Sequence, residues 1–392
     1  MVTPQSLQAV SHELMEEVGF TWHTDNDGSD YISNELISVT HAEAEAYYEA
    51  GNTLYEMFCE AGEYVIENDL LFDIGIPFNL IETLKNSWEN DVHWHLYGRF
   101  DLAGGIDGKA IKLIEFNADT PTGVFETAIV QWAMLKANNM DEEAQYNNFY
   151  EGMIANFRRL IMLEGDPEDF ADHYDGWKIL FSSTRDDDEE ENTVKFLQNC
   201  ANDAGFETHF CYLDEVNFDD ENGVFDSEDN HYEYWFKLYP WEDIALEDDL
   251  PMILENIMRN QKAIILNPAY TLMFQSKGFM KILCDLYPDS PYLLKTSFEP
   301  LNGTKQIKKQ FFGREGANCE IIAANGDVLL KTEGEYENYK SVYQKYVEFP
   351  SNAKGEKYQA GLFFAYEPIA LGFRKGGEIL DNMAKAVSHK LI

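Results

Sequence analysis

Hydrophobic residues recur at helical spacing in the first quarter of the chain. Between Glu35 and Glu67, apolar residues stand about three or four positions apart, and polar residues occupy the places between them. This period predicts one amphipathic helix, and Pro77 interrupts the region that follows. We therefore expect the opening quarter of the chain to be mainly helical.

An alternating pattern of apolar and polar residues follows. Two extended runs, Arg99 to Ala103 and Ala110 to Asn117, are separated by two glycines and the turn pair Asp107-Gly108. An Asp-Gly pair between alternating runs is typical of a β-hairpin. The pattern therefore predicts two antiparallel strands joined around these turn residues.

Further along, the pattern predicts a strand, a loop, a helix and a second strand. Lys178 to Ser182 has a strand pattern, the acidic run Asp186 to Glu191 is typical of a solvated loop, and Thr193 to Ala204 has a helical pattern that ends at Gly205. Glu207 to Tyr212 is the second predicted strand. This order is a βαβ unit, which indicates a parallel sheet. The last third of the chain returns to short strands with glycine turns.

The chain is strongly acidic. It has 71 Asp and Glu residues against 29 Lys and Arg residues, and its formal net charge is -42. Such a charge repels nucleic acids and anionic membrane surfaces, so neither is an expected partner. The same charge would attract a cationic substrate, although an acidic surface more commonly serves solubility.

Cysteine usage and the N-terminal segment favour a cytoplasmic protein. The five cysteines are scattered and include no C-x-x-C pair, which fits reduced thiols better than a redox or zinc centre. The N-terminal segment has no basic region followed by an apolar one, and no stretch is apolar enough to span a bilayer. We therefore expect neither export nor a membrane anchor.

Polar side chains on the predicted hairpin are candidates for a magnesium site. Glu115 and Asn117 are two residues apart, so they project from one face of a strand. If the loop consisted of residues 107–109, Asp101 would lie opposite Glu115 and three oxygen donors would converge. Such donors suit magnesium, and Arg99 on the same face could clamp a transferring phosphoryl group. The alternative is a solvent-facing hairpin, whose outer face is ordinarily polar.

A lysine before a glycine-flanked loop is a second candidate. Lys309 lies on a predicted strand, and a loop that contains Gly313 and Gly316 follows it. A cation and successive backbone N–H groups can together contact phosphate oxygens. Short glycine loops are nevertheless more often plain β-turns, and the sequence contains neither a Walker motif nor a dinucleotide-binding motif.

Several separate blocks of the sequence together match one family. In chain order they are Gly98-Arg99-Phe100-Asp101, Glu115 to Thr122, Asp188 to Asn192, Lys237 to Glu242, Gln275-Ser276-Lys277, Lys309 to Asn318 and Gly372-Phe373-Arg374. Through these blocks the chain resembles the synthetase domain of glutathionylspermidine synthetases and their stand-alone relatives, the acid-amine ligases. The resemblance extends from about Asp91 to near the C-terminus.

The resemblance implies an α/β (α+β) fold, a circularly permuted ATP-grasp fold with an α/β domain of the pre-ATP-grasp type. Residues 1–165 would contain the N-terminal helical region and the metal-site hairpin, residues 166–265 the pre-ATP-grasp-like domain, and residues 266–392 the nucleotide-binding part. In most ATP-grasp enzymes the nucleotide-binding lysines precede the metal carboxylates. Here the carboxylates come first, as in the family that the chain resembles.

The resemblance also implies roles for individual residues. The magnesium ligands would be Asp101, Glu115 and Asn117. Arg99 would be the catalytic residue, while Thr120 and Glu190 stand where the family contacts its peptide substrate. The contacts to ATP would come from Arg99, Phe100, Asp101, Lys277, Lys309, Glu315, Gly316, Gln344, Lys345, Tyr346, Val347 and Arg374.

The implied activity is ATP-dependent ligation of a carboxylic acid and an amine through an acyl phosphate, with ATP and Mg²⁺ as cofactors. The substrates would be small molecules such as a peptide and a polyamine, whose ammonium groups Asp119, Glu190 and Glu191 could hold. Family members that use glutathione read Lys-Thr-Trp, whereas this chain has Leu238 at the threonine position. The alternatives are an ATP-binding or ATPase protein of the same fold that acts as a nucleotide-dependent partner, and a simple acidic cation-binding protein.

Overall fold

The computed structural model describes residues 1–25, 27–163 and 165–392 of the chain. Its α-helices are α1 (His12–Glu17), α2 (His41–Glu67), α3 (Ile81–Glu89), α4 (Gln131–Ala137), α5 (Phe149–Met162), α6 (Phe170–His173), α7 (Asp188–Ala204), α8 (Trp241–Ile244), α9 (Leu250–Arg259), α10 (Thr271–Gln275) and α11 (Phe279–Leu286). A π-helical turn, Glu126–Val130, precedes α4. Short 3-10 helices lie at Phe78–Leu80, Pro167–Asp169 and Leu213–Glu215. Within the described ranges, no helix is long and apolar enough to cross a membrane.

A seven-stranded sheet joins the two ends of the chain. Its strands, in spatial order, are β1 (Gln5–Ser6), β2 (Ile32–Val39), β19 (Lys385–Leu391), β18 (Glu367–Gly376), β17 (Lys357–Ala365), β3 (Gly98–Ala103) and β4 (Lys112–Asn117). All neighbours are antiparallel except β2 and β19, which are parallel. The β3–β4 hairpin therefore forms one edge of the sheet, and β3 pairs with β17 from the distant C-terminal part of the chain.

Three smaller sheets complete the fold of the described residues. The strands of a parallel sheet are, in order, β11 (Ile264–Leu266), β10 (Tyr234–Lys237), β5 (Lys178–Ser183) and β6 (Glu207–Tyr212). Those of an antiparallel sheet are β12 (Thr296–Ser297), β16 (Ser341–Lys345), β13 (Gln306–Gln310), β14 (Glu320–Ile322) and β15 (Val328–Lys331). A three-stranded sheet contains β7 (Asn217–Asp219), β8 (Gly223–Phe225) and β9 (His231–Tyr232). The parallel pairing of β5 and β6 across α7 confirms the predicted βαβ unit.

The long helix α2 begins later than the sequence pattern predicted. Residues 35–39 belong to strand β2, where Leu36, Ile37 and Val39 are buried and paired with β19. Thr40 then caps the helix, because its hydroxyl accepts from the Glu43 backbone N–H at 3.2 Å while the Glu43 carboxylate accepts from the Thr40 N–H at 2.8 Å. The prediction that the helix begins at Glu35 was therefore wrong, because residues 35–39 pair with the distant strand β19.

Helix α7 begins inside the acidic run that was predicted to be a loop. The Asp187 side chain accepts from the Glu190 backbone N–H at 2.9 Å and so caps the helix at Asp188. Carboxylates in the first turn are favourable because they lie at the positive end of the helix dipole. The helix ends at Gly205, as predicted, with φ at 109°. Only residues 186 and 187 of the predicted loop are outside the helix.

The β3–β4 hairpin pairs Asp101 with Glu115, as predicted, through a two-residue turn and a β-bulge. A two-residue turn, Asp107-Gly108 with φ values of 57° and 68°, closes it instead of the loop 107–109. A register shift after Asp101 leaves Ile114 as the extra residue of a β-bulge, so Asp101 faces Glu115 directly. The predicted turn pair Asp107-Gly108 and the predicted opposition of the two carboxylates are both found, although the opposition arises from a bulge and not from a three-residue loop.

An aromatic core supports the hairpin from its inner face. Phe100 and Phe116 face each other across β3 and β4, and their ring centroids stack at 3.9 Å. Phe58 of α2 packs edge-on against both rings, with centroid distances of 6.0 and 5.1 Å. Burial of such rings stabilises a fold by about 1.5–3 kcal/mol each. Because side chains alternate along a strand, the opposite face is left for Arg99, Asp101, Glu115 and Asn117.

Candidate active site

A cavity of about 400 Å³ lies between the seven-stranded and the five-stranded antiparallel sheets, since strands of both sheets line it. Almost all residues that the sequence nominated are brought together there. They are Arg99, Asp101, Glu115, Asn117, Thr120, Lys277, Lys309, Glu315, Gly316, Gln344, Lys345, Tyr346, Val347 and Arg374. Among the predicted ATP contacts, Phe100 does not line the cavity, because its side chain is fully buried in the core. Of the two predicted substrate residues, Glu190 does not line the cavity.

In the hairpin, Asp101 is buried and Glu115 is half-buried, and both carboxylates are paired with cations. Asp101 receives two hydrogen bonds from Arg99, at 2.6 and 3.0 Å, and Glu115 lies 3.3 Å from the Lys277 ammonium and 3.8 Å from that of Lys309. Burial raises the pKa of Glu115, but the two lysines outweigh burial and hold that pKa below its ordinary value. Glu115 is therefore ionised at neutral pH.

The hairpin donors fit a magnesium ion chemically. Two carboxylates and an amide oxygen are hard donors, and magnesium binds through one or two carboxylates together with waters and substrate phosphates. The Asn117 side-chain nitrogen is buried without a hydrogen-bond partner, so this amide has capacity for a further contact in either orientation. Among the described residues, no three His, Cys, Asp or Glu side chains form a metal-binding group. The candidate set therefore depends on the amide of Asn117 and on oxygen atoms of a substrate.

Arg99 is held rigidly at the cavity wall. Besides its two bonds to Asp101, its third nitrogen donates to the Thr122 carbonyl at 2.5 Å. Gly361 of β17 faces Asp101, and a Cβ added there would lie 3.0 Å from the Arg99 Cδ atom. A glycine at this position leaves space for the arginine stem. The guanidinium is thus fixed before any ligand arrives, which suits a group that stabilises developing charge.

Two lysines from different elements converge on Glu115. Lys277 follows α10 and donates to the Gly313 carbonyl at 2.6 Å, whereas Lys309 lies on β13 as predicted. Both are largely buried, and burial lowers the pKa of Lys309, although the Glu115 charge opposes this shift. The loop that follows β13 contacts the backbone of Leu380 at Gly316. There φ is 66°, and an added Cβ would lie 2.6 Å from the Leu380 carbonyl oxygen. The two lysines and the tight glycine loop are groups that could together bind a polyanion.

The loop that leaves β4 is anchored by buried polar groups. Asp119 forms an ion pair with Lys237 at 3.0 Å, and both side chains have no exposed surface. Its second oxygen accepts from the Trp241 backbone N–H at 2.9 Å. The Asn267 amide donates to the carbonyls of Ala118 and Asp119 at 3.2 and 2.8 Å. Asp119 therefore fixes the loop, and the expectation that it holds a substrate ammonium group is wrong.

Thr120 is the predicted substrate residue that lines the cavity. Its hydroxyl accepts from Arg314 at 3.0 Å, and Arg314 also donates to the Glu242 carboxylate. By contrast, Glu190 bonds to Thr184 and Glu191 bonds to Tyr212 and Lys195, away from the cavity lining. The first turn of α7 instead presents its neighbour Glu189 to the cavity.

Several lining residues were not identified from the sequence. They include Trp22, Tyr31, Glu189, Arg314 and Gln359. Glu189 and Arg314 stand inside the quoted motif blocks, so the blocks could have nominated them. Trp22, Tyr31 and Gln359 lie in stretches without a recognisable motif, so the sequence did not nominate them.

A solved structure shares this fold. A glutathione synthetase like-effector from Globodera pallida, solved in its apo form, matches over 98% of both chains with a TM-score of 0.57 and 9% sequence identity. At such low identity the likeness defines the fold alone. The protein is therefore a mixed α/β protein with a glutathione synthetase-like fold, which confirms the predicted fold class at this level.

The chain belongs to the glutathionylspermidine synthase family. The family model described as "Glutathionylspermidine synthase preATP-grasp" matches residues 3–392. A Haemophilus influenzae protein named "Putative acid--amine ligase" is 31% identical over 352 residues, which cover 85% of this chain and 84% of that protein. The Escherichia coli bifunctional glutathionylspermidine synthetase/amidase is 26% identical over 336 residues, which cover 79% of this chain but only 51% of that protein. These relatives confirm the predicted family and the predicted class of enzyme, a carbon–nitrogen ligase.

Proposed function

We propose that this protein is an ATP-dependent acid-amine ligase that works through an acyl phosphate. The observation that supports the proposal is the set of fixed groups in one cavity. Arg99 is held by Asp101, and Glu115 lies beside Lys277 and Lys309. Cations and potential metal ligands around one polyanion are the groups that phosphoryl transfer requires. ATP would contact the residues predicted from the sequence, of which Phe100 can contribute only its backbone.

Each group would have a defined task in the first step. Asp101, Glu115 and Asn117 would hold Mg²⁺, which supplies positive charge next to the phosphate oxygens. Arg99 would stabilise the charge on the transferring phosphoryl group, while Lys277 and Lys309 bind the phosphates of ATP. An oxygen of the acid substrate attacks the γ-phosphorus, a new O–P bond forms, and ADP leaves with the electrons of the broken bond. The product is an acyl phosphate.

The second step forms the amide. The amine attacks the acyl carbon, the C–N bond forms, the C–O bond to phosphate breaks, and inorganic phosphate leaves. Water would compete at this step, so the reaction benefits from an enclosed cavity. Thr120 and its partner Arg314 would bind the acid substrate. Leu238 is buried in the core and offers no hydroxyl, so glutathione need not be the acid.

The proposed domain assignment follows the same scheme. The ATP-grasp part would combine residues 1–165 and 266–392, and residues 166–265 would form the pre-ATP-grasp-like domain. The strands β3 and β4 precede Lys277 and Lys309 along the chain, which is the order of a circularly permuted ATP-grasp fold. We also propose that the enzyme works in the cytoplasm, where ATP is available, on small molecules rather than on nucleic acids or membranes.

Product analysis tests the proposed activity directly. Purified protein with ATP and Mg²⁺ is expected to convert a panel of carboxylic acids and amines into an amide, with one ADP formed per amide. The measurement is mass spectrometry together with an ADP assay. In Asp101→Asn, ATP turnover is expected to fall by about 100-fold or more. The reason is that Asp101, which would be a metal ligand and also anchors Arg99, loses its charge. ADP formation without any amide would favour the alternative of an ATPase, and no nucleotide binding would favour a cation-binding protein.

A salt series tests whether the acidic surface guides the amine. If the net charge of -42 attracts a polyamine, kcat/KM for spermidine is expected to fall steeply between low and physiological ionic strength. An amino-acid amine such as glycine carries no net charge, so its kcat/KM should change little and provides the control. Equal salt dependence for both amines, or no product from any polyamine, would assign the acidic surface to solubility.

A further inference from the structure

A second cavity, separate from the active-site cavity, has aromatic walls. Its volume is about 760 Å³, and among the described residues it shares no lining residue with the active-site cavity. Side chains from distant parts of the chain contribute the rings of its wall, which are Tyr55, Trp88, Trp94, Tyr270, Phe274 and Tyr366. Cavities of several hundred Å³ with aromatic walls and few polar groups are typical binding sites for small molecules.

The aromatic walls are held in place by contacts among themselves and with a neighbouring cation. Trp88 and Tyr270 meet edge to face, with their ring centroids 5.3 Å apart. Tyr366 is 52% exposed, yet its ring stacks on Trp94 at 6.1 Å. The guanidinium carbon of Arg159 lies 3.7 Å from the centroid of the Tyr366 ring. The walls therefore exist before any ligand binds, which lowers the entropic cost of binding a flat molecule.

One polar group in the wall has no partner. His93 is 4% exposed, and its Nδ1 atom is buried without a hydrogen-bond partner in the described part of the chain. The second histidine of the wall, His95, uses both ring nitrogens, since it bonds to the Tyr55 hydroxyl at 3.1 Å and to the Ala118 carbonyl at 3.0 Å. Buried polar groups are costly when they stay unpaired. A ligand with a hydrogen-bonding group would supply the partner that His93 lacks.

The charges around the cavity favour a neutral ligand. Among the described residues, the lining contains neither Lys nor Arg, and its one carboxylate, that of Asp91, is exposed. Burial lowers the pKa of His93 and that of His95 to about 4, so both rings are uncharged at neutral pH. Burial likewise raises the pKa of the Cys59 thiol to about 11. An anion would therefore find no cation in the wall, and a cation would find its only carboxylate in solvent.

We propose that this second cavity is an effector site for a neutral, planar aromatic molecule that carries a hydroxyl group. The aromatic ring would pack against the walls, and the hydroxyl group would pair with the Nδ1 atom of His93. A hydroxyl group can both donate and accept, so it satisfies this nitrogen in either tautomer of the histidine. The site goes beyond the proposed function, because the proposed reaction uses none of the residues in this wall.

The wall of the second cavity is connected to the loop that leaves β4. Phe274 lies in α10 next to Gln275, whose Oε1 atom accepts from the N–H groups of Ala118 and Asp119 at 2.9 and 3.2 Å. His95 holds the same loop through the Ala118 carbonyl. The loop continues into the lining of the active-site cavity. A ligand that restricts the motion of the wall would therefore also restrict this loop, which is how the site would act as an effector site.

Binding to the wild-type protein tests the ligand class. Isothermal titration calorimetry with p-cresol is expected to give a Kd on the order of 0.1–1 mM, because the ligand is small. Toluene has the same ring without the hydroxyl group and should bind about fivefold more weakly, since it leaves His93 unpaired. The anion 4-methylbenzoate and the cation benzyltrimethylammonium should each bind more weakly than p-cresol. Absence of p-cresol binding, or tighter binding of either ion, would overturn the proposal.

Variants of His93 test the predicted hydrogen bond. His93→Phe keeps a ring but removes the nitrogen, so its affinity for p-cresol should fall by about fivefold to that for toluene, while toluene binding shows that the cavity is intact. His93→Gln retains a hydrogen-bonding group and should bind p-cresol within about threefold of the wild type. His173→Phe changes an exposed histidine on α6 and is the matched control. Unchanged p-cresol binding by His93→Phe would contradict the assignment.

Hydrogen exchange measured by mass spectrometry locates p-cresol in the wild-type protein and tests the effector role. Saturating p-cresol should slow exchange in peptides from residues 88–95 and 270–274. In the peptide that contains Ala118 and Asp119, exchange should slow by about fivefold or more, as expected for coupled sites. Exchange that is unchanged at the cavity wall, or at Ala118 and Asp119, would overturn the effector site. These measurements use neither ATP nor an acid substrate, so their outcome is independent of the proposed ligase activity.

Discussion

Replacement of Arg99 by alanine is expected to lower kcat for ATP turnover by about 100- to 1000-fold and to change KM for ATP much less. The guanidinium is fixed by Asp101 and by the Thr122 carbonyl, so it requires no rearrangement when charge develops on the phosphoryl group. A contact that strengthens mainly in the transition state affects kcat more than KM. Steady-state kinetics of magnesium-dependent ADP formation measure both constants.

Two further variants make the result for Arg99 specific. Arg99→Lys keeps the charge but loses the two-pronged bond to Asp101, so we expect an intermediate kcat. Arg158→Ala removes a more exposed arginine that lies 3.9 Å from Glu168, and its kinetics should equal those of the wild type. Thermal unfolding of each variant shows whether the unpaired Asp101 has damaged the fold. A higher KM with an unchanged kcat would make Arg99 a ground-state phosphate binder instead.

Replacement of Lys237 by methionine is expected to lower the free energy of unfolding by about 3–5 kcal/mol. The change leaves the fully buried carboxyl group of Asp119 without its ion-pair partner. Burial lowers the pKa of Lys237 and raises that of Asp119, and the attraction within the pair opposes both shifts. The pair is therefore mutually dependent. Urea unfolding followed by circular dichroism measures the loss.

A surface pair provides the comparison for Lys237. Lys195 and Glu191 form an exposed i,i+4 ion pair on α7, so Lys195→Met should cost less than about 1 kcal/mol. The double variant Lys237→Met/Asp119→Leu removes both buried charges and should recover part of the lost stability. If Lys237→Met unfolds at the same urea concentration as the wild type, the buried pair does not hold the loop.

Local features of the structure could be predicted from the sequence, because neighbouring residues determine them. The Asp107-Gly108 turn specified the hairpin, and alternation along the strands placed Glu115 and Asn117 on one face. The βαβ unit was recognisable for the same reason, since its helix and its strands each carry their own pattern. The motif blocks contain nearly half of the residues that line the cavity, and their roles in binding ATP and Mg²⁺ stay predictions.

Features that depend on distant contacts could not be predicted. Residues 35–39 form a strand because β1 and β19 pair with β2, whereas the helical spacing that follows suggested that the helix began at Glu35. From the sequence, Asp119 was expected to be accessible to a substrate. In the structure its side chain is fully buried and forms an ion pair with Lys237. Glu126 lies outside every motif block, yet in the structure it begins a π-helical turn and lines a recess that Arg99 also lines.

The pairing of β3 with β17 has a consequence for how the enzyme is made in the cell. A ribosome releases β3 and β4 early, but their neighbour β17 emerges only after most of this sequence has been translated. Until then, the inner edge of β3 exposes unpaired backbone groups that invite association with other chains. Nascent chains of this protein should therefore depend on chaperones until synthesis is nearly finished. Fragments that end before residue 357 should be rapidly degraded.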